Sequence, residues 1–208
     1  MILSSTVTYG QINTYLPIPI GTGKPIASTV QYSTTNHGSS ASISSTSTTN
    51  DTYTNPTSTQ NCGIGNIGYS TGIHLFEVYY AAYTGGTSSI VGIGKTTTNF
   101  GSYLGADTTA YGWFAYGSVV YNNGSPITGT IGTYGVGHWV EIAVNFGALK
   151  MYGFNDGVPA NGGAALCSIA AGTYYPGVGV SLDKWSNLNG NYATMAHPPS
   201  GYSTANNW

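Results

Sequence analysis

Gly72-Ile73-His74-Leu75-Phe76-Glu77-Val78 is the stretch on which the fold turns. Aromatic and aliphatic side chains alternate there around one glutamate, and a period of two is the mark of a strand whose faces meet different surroundings. After Gly72 the same grammar recurs. Runs of roughly four to eight residues rich in Val, Ile, Tyr and Phe end in Gly or Asn clusters. Examples are Ile90-Val91-Gly92-Ile93 and Val119-Val120-Tyr121 ahead of Asn122-Asn123-Gly124. Many short strands joined by turns predict an all-β, two-sheet antiparallel β-sandwich. No window of helical length carries an i, i+3, i+4, i+7 apolar stripe, and 31 glycines would charge any helix their backbone entropy repeatedly, so helix content should be very low.

A chain of 208 residues suits one such sandwich. Residues 1–25 combine alternating β-branched residues with Pro17, Pro19 and Pro25, which predicts an extended N-terminal arm suited to edge pairing, followed by the sandwich over 26–208. The Ser/Thr/Asn-rich stretch from Ser39 to Gln60 reads as strand plus loop, because Thr also fills exposed strands. Four lysines, no arginine and six acidic residues give a net charge of -2. Lys24, Lys95, Lys150 and Lys184 are scattered, so no cluster exists to neutralise phosphates, and nucleic acid is not an expected partner. Apolar runs fall far short of the ~18–20 residues that span a bilayer, so no membrane insertion is expected. Cys62 and Cys167 could pair in principle, but a core of this size needs no staple, and two free, buried thiols are the plainer reading.

The strand at Gly72 resembles the SPRY strand usually written Gly-Lys-His-Tyr-Trp-Glu-Val. Further segments follow in that family's order: Val91-Gly92-Ile93-Gly94, Leu104-Gly105-Ala106-Asp107 leading to Tyr111-Gly112-Trp113, and Val119 to Gly124. Glu141 to Val144 then precedes Gly147 to Tyr152, Asn155-Asp156-Gly157 resembles the family's Asn-Gly hairpin, and Tyr174 to Val180 resembles its Tyr-Pro strand. The closing Pro198-Pro199-Ser200-Gly201-Tyr202 resembles SPRY-like domains of phage proteins. This resemblance, over roughly Gly72 to Tyr202, implies a concanavalin A-like SPRY jelly roll. The chain departs from the pattern in three ways. The early tryptophan is missing between Pro25 and Gly72, Phe154 stands as an extra residue before the Asn-Asp-Gly turn, and the charged loops of peptide-binding relatives are absent. Peptide specificity is therefore not carried over.

Catalytic chemistry finds little to stand on in the sequence. Glycosidases of sandwich type need two carboxyl groups flanking the scissile bond. Glu77 and Glu141 are the only glutamates, and Phe76-Glu77-Val78-Tyr79-Tyr80 echoes a jelly-roll xylanase nucleophile strand without that family's second motif. Both glutamates are expected to be structural, Glu77 hydrogen-bonded inside or at the sheet margin and Glu141 pointing outward beside Trp139. His37, His74, His138 and His197 are too widely spaced for a metal shell, and no Gly-x-Ser-x-Gly elbow exists, so no catalytic residue, metal or cofactor is assigned. The surplus is aromatic. Tyr103, Tyr111, Trp113, Tyr116 and Trp185, the last placed in a polar loop, are the candidate ligand- or partner-binding residues, Tyr and Trp being common anchors of interfaces and sugar sites; filling of the two sheet faces is the alternative for those on strands, less so for Trp185.

The start Met1-Ile2-Leu3-Ser4-Ser5-Thr6 does not read as a secretory signal, yet the low-charge Ser/Thr/Asn/Gly/Tyr body resembles extracellular and virion-exposed domains. Particles assembled in the host cytoplasm and later released need no signal. The expectation is a non-enzymatic bacteriophage virion protein at the particle surface: capsid decoration, head fibre, or tail fibre or tail-associated adhesin. Expected partners are other virion proteins, a second copy of the chain, and a cell-surface glycan or host receptor. A carbohydrate-binding module is the main alternative, and a jelly-roll glycosidase the remote one.

Overall fold

Asn123-Gly124 and Asp156-Gly157 each close a two-residue hairpin, with Asn122 opposite Ser125 and Asn155 opposite Val158. All four turn residues have positive φ, 54° and 71° in the first turn and 50° and 75° in the second. That is the type I′ geometry, whose twist matches the twist of the strands it joins and which Asn-Gly and Asp-Gly adopt at least cost. In the computed structural model the structure describes residues 30–45, 51–83, 89–179, 181–202 and 206–207. The arm expected over 1–25 lies outside the described residues.

The first sheet runs, neighbour to neighbour, β1 (Tyr32–His37), β4 (Gly63–Gly65), β14 (Tyr175–Val178), β6 (Ile90–Gly94), β7 (Ala110–Phe114), β8 (Val119–Asn122) and β9 (Ser125–Pro126). The second runs β12 (Val158–Pro159), β11 (Lys150–Asn155), β10 (Trp139–Asn145), β5 (Ile73–Tyr83), β15 (Asp183–Asn189), β3 (Asp51–Asn55) and β2 (Ser42–Ser45). Two short strands join it from the side, β13 (Cys167–Ser168) on β11 and β16 (Asn206–Asn207) on β5, the latter in parallel. Every other pairing is antiparallel, and the helical content of the described residues is one 3-10 turn at Tyr192–Thr194. The all-β sandwich with almost no helix is what the alternation requires. The stretch from Ser39 to Gln60 supplies β2 and β3 with loops around them.

The two faces of β5 have separate fates. Phe76, Val78 and Tyr80 point between the sheets and join the main core with Val140, Ile142 and Val144 of β10, Val91 and Ile93 of β6, and Trp113 of β7. An aromatic relay crosses that core. Trp113 meets Tyr134 edge-on at 4.7 Å, Tyr134 meets Trp185 at 6.0 Å, and Trp185 stacks on Tyr80 at 4.6 Å. Asp51 ties the sheets by hydrogen bonds as well. Its two oxygens accept from the backbone N–H of Tyr32 on β1 (2.8 Å) and of Leu188 on β15 (2.9 Å).

The opposite face of β5 is partly roofed. Leu75, Ala143 and Phe154 pack with Met195, joined by Tyr192 and Tyr202, so the segment 190–202 lies across the outside of the second sheet. Beneath it Glu77 and Glu141 stand directly opposite each other on β5 and β10. Glu77 accepts from the backbone N–H of Ala196 and His197, both at 2.9 Å. Glu141 does belong to the outer face, as the alternation predicts, but it is fully buried rather than solvent-facing, because this C-terminal segment and the Gly157 turn cover it. Phe154, the extra residue before the turn, is buried under the same roof at 5.2 Å from the Tyr202 ring. Cys62 and Cys167 are free thiols and both buried.

Candidate functional site

The five aromatics singled out in the sequence do not meet at one place. Trp113 and Trp185 are fully buried and Tyr111 nearly so. Their polar heads are spent inside. The Trp113 indole donates to Gly132 O (3.1 Å), the Trp185 indole to Asp183 Oδ2 (2.8 Å), and the Tyr111 hydroxyl accepts from Ala170 N–H (2.9 Å). Trp185 is thus corrected twice, since it lies on the central strand β15 rather than in a polar loop, and it faces the core rather than a ligand. Tyr103 is half-buried, packed edge-on against Tyr121 at 5.8 Å on the far side of the first sheet. Only Tyr116 is open, 75% exposed in the turn between β7 and β8, and it stands alone.

A different pair of rings lies on the outer face of the second sheet, half-buried rather than enclosed. Tyr79 of β5 and Trp139 of β10 are register partners, with ring centroids 5.1 Å apart at 49°. Both are half-buried and neither belongs to a core cluster. The same row continues from Tyr79 to Ser186 of β15, Thr52 of β3 and Ser44 of β2. At the other end the Asp156 carboxylate accepts from Trp139 N–H at 2.9 Å and contacts His138 Nδ1 at 2.6 Å. Burial would raise the Asp156 carboxyl, but the His138 and Trp139 hydrogen bonds outweigh it and hold the group below its ordinary value. The signal for this row was present in the alternation, since Tyr79 and Trp139 are out of phase with Phe76, Val78 and Tyr80 and with Val140 and Ile142.

The two glutamates form a closed arrangement. Neither carboxyl group reaches solvent. Burial raises Glu77 above its ordinary value despite the opposing N–H bonds from His197 and Ala196. Burial also pushes Glu141 up to about 9, with the Gly157 N–H pulling down and the Glu77 and Asp156 carboxylates pushing up. Glu141 is therefore a neutral acid at pH 7, and Glu77 spends its oxygens on the backbone. Burial drives the Cys62 thiol up and the Cys167 thiol up to about 12, which removes their nucleophilic form. Among the described residues no group of three or more His, Cys, Asp or Glu side chains is placed to hold a metal ion, and no helix is long and apolar enough to cross a membrane.

No family model and no curated protein matches the chain. Among solved structures it is similar to the SPRY domain of human HERC1, at 16% identity and a TM-score of 0.57, covering 66% of this chain and 87% of that one. At that identity the likeness speaks for the fold alone, and it bears out the SPRY-like, concanavalin A-like sandwich expected from the strand motifs.

Proposed function

We propose that the chain is a non-enzymatic binding module of a bacteriophage particle, with the SPRY-like sandwich displayed at the surface and residues 1–25 serving as the attachment arm. The observation that carries the non-enzymatic reading is the state of Glu77 and Glu141. One holds the backbone of the C-terminal segment and the other is neutral and enclosed, so the pair lacks the substrate-facing acid and base that glycoside hydrolysis needs.

Placement on a particle is supported by the low-charge Ser/Thr/Asn/Gly/Tyr composition and by the ending Pro198 to Tyr202, whose Tyr202 ring is part of the roof over the second sheet. An arm of alternating β-branched residues adds strands to a neighbour's sheet edge through backbone hydrogen bonds, which is a low-charge way to assemble. Peptides of this chain are expected, at a fixed ratio to the major capsid protein, in density-gradient-purified particles of the phage that encodes it. Mass spectrometry that finds the chain only in the unassembled fraction would overturn the reading.

A further inference from the structure

We propose that the row Trp139, Tyr79, Ser186 and Thr52 on the outer face of the second sheet is a binding site for an uncharged saccharide chain. The inference deepens the reading of the sandwich as a binding module and makes no use of the arm. Register carries it first. Trp139, Tyr79, Ser186, Thr52 and Ser44 come from five adjacent strands and stand side by side in one line. Strands lie ~4.8 Å apart, so the line is about 19 Å long, enough for several sugar rings laid across the strands.

The chemistry along that line changes in the way an oligosaccharide requires. Tyr79 and Trp139 are half-buried and pack against each other, so each ring keeps part of its surface open. Their tilt of 49° makes a shallow notch rather than a flat plate. The Tyr79 hydroxyl and the Trp139 indole N–H form no hydrogen bond among the described residues, unlike the heads of Trp113, Trp185 and Tyr111, which are all engaged. A pyranose has an apolar C–H face and a rim of hydroxyls. The rings would take the face and their polar heads the rim. Further along, the hydroxyls of Ser186, Thr52 and Ser44 can both donate and accept, which matches sugar hydroxyls without selecting a charge.

Charge argues for an uncharged ligand. The row carries Asp156 at one end, already contacting His138, and Lys184 sits two residues from Ser186 on β15. One acid and one base flanking a neutral row offer nothing to repay the desolvation of a polyanion. The adjacent row is closed by Ala196 and His197 on Glu77, which gives the site a wall on that side.

The test uses the full-length chain and affinity electrophoresis in gels containing dextran, laminarin, galactomannan or chitohexaose, with alginate as the acidic control. Retardation by at least one neutral probe is expected, with affinity lowered about tenfold or more by Tyr79→Ala, the scale of a lost aromatic stacking contact. Tyr116→Ala should leave it unchanged. Trp139→Phe keeps a ring in place should Trp139→Ala fold poorly. In a Trp208→Phe background, with Trp113 and Trp185 buried, the saccharide-induced change in tryptophan fluorescence should vanish on adding Trp139→Phe. Binding by no neutral probe, binding by alginate alone, or binding that survives Tyr79→Ala would overturn the proposal. A saccharide-independent dimer abolished by Tyr79→Ala would assign the face to a second copy and overturn it too. Any of these outcomes in a chain still found in particles would leave the proposed function standing.

Discussion

Trp185→Ala is expected to remove about 3–5 kcal/mol of folding stability, with no ligand present. The indole is fully buried, stacks on Tyr80 at 4.6 Å and donates to Asp183 Oδ2 at 2.8 Å. Truncation opens a cavity in the middle of the aromatic relay that joins the sheets, and it takes one donor away from a buried carboxylate, a further cost of the unpaired-group kind. Domains have about 5–15 kcal/mol to lose, so the urea midpoint should fall sharply or folding should fail. Tyr116→Ala, at the exposed turn, should stay within about 0.5 kcal/mol. A small loss at Trp185 would mean that the ring is not part of the core, and its earlier candidacy as a ligand anchor would revive.

Stability should also run against the usual acid trend. Glu141 has a folded pKa pushed up to about 9, first by burial and then by the Glu77 and Asp156 carboxylates, against an ordinary value of 4.5. A group raised on folding contributes stability that is fully present below its unfolded pKa and is lost as pH rises through the folded one. The window for Glu141 is thus roughly pH 4.5 to 9, and one proton is worth about 1.4 kcal/mol per pH unit, or about 3 kcal/mol between pH 6 and 8. Glu77 is raised as well, and Asp51 is raised to about 6 by burial, so both act in the same direction. Asp156 is lowered and acts oppositely, but only below its ordinary value of 3.8. Thermal midpoints are expected to climb as pH drops from 8 to 5. Glu141→Gln, which keeps the shape and removes the proton, should flatten most of that slope. A midpoint that rises from pH 5 to 8 in the native chain would contradict this account of the buried pair.

Much of the fold was readable because β5 and β10 keep a strict period of two and because Asn123-Gly124 and Asp156-Gly157 have the residues that a type I′ turn demands. Trp185 was misplaced for a physical reason. Asp183-Lys184 and Asn187 to Gly190 look like a polar loop, yet β15 is a central strand in which Asp183 is buried and hydrogen-bonded to the indole. Its period is broken by a register shift between Ser186 and Asn189, with Asn187 at φ 58°, so Trp185 and Leu188 are both buried although three positions apart. No local pattern announces such an irregularity. The roof over Glu141 was equally invisible, because it is made by a segment more than fifty positions away, through Met195, Tyr202 and the backbone of Ala196 and His197. Tyr79 and Trp139 are sixty positions apart in the sequence, and only the pairing of β5 with β10 brings their rings together.

Co-sedimentation with phage particles purified from the host of the encoding genome tests the central claim most directly, using the full-length chain and a form lacking residues 1–25. The full-length chain should pellet with the particles, while the shortened form stays in solution and unfolds at the same urea midpoint. A full-length chain that never pellets, or a shortened form that pellets equally well, would contradict an arm-attached, particle-borne module.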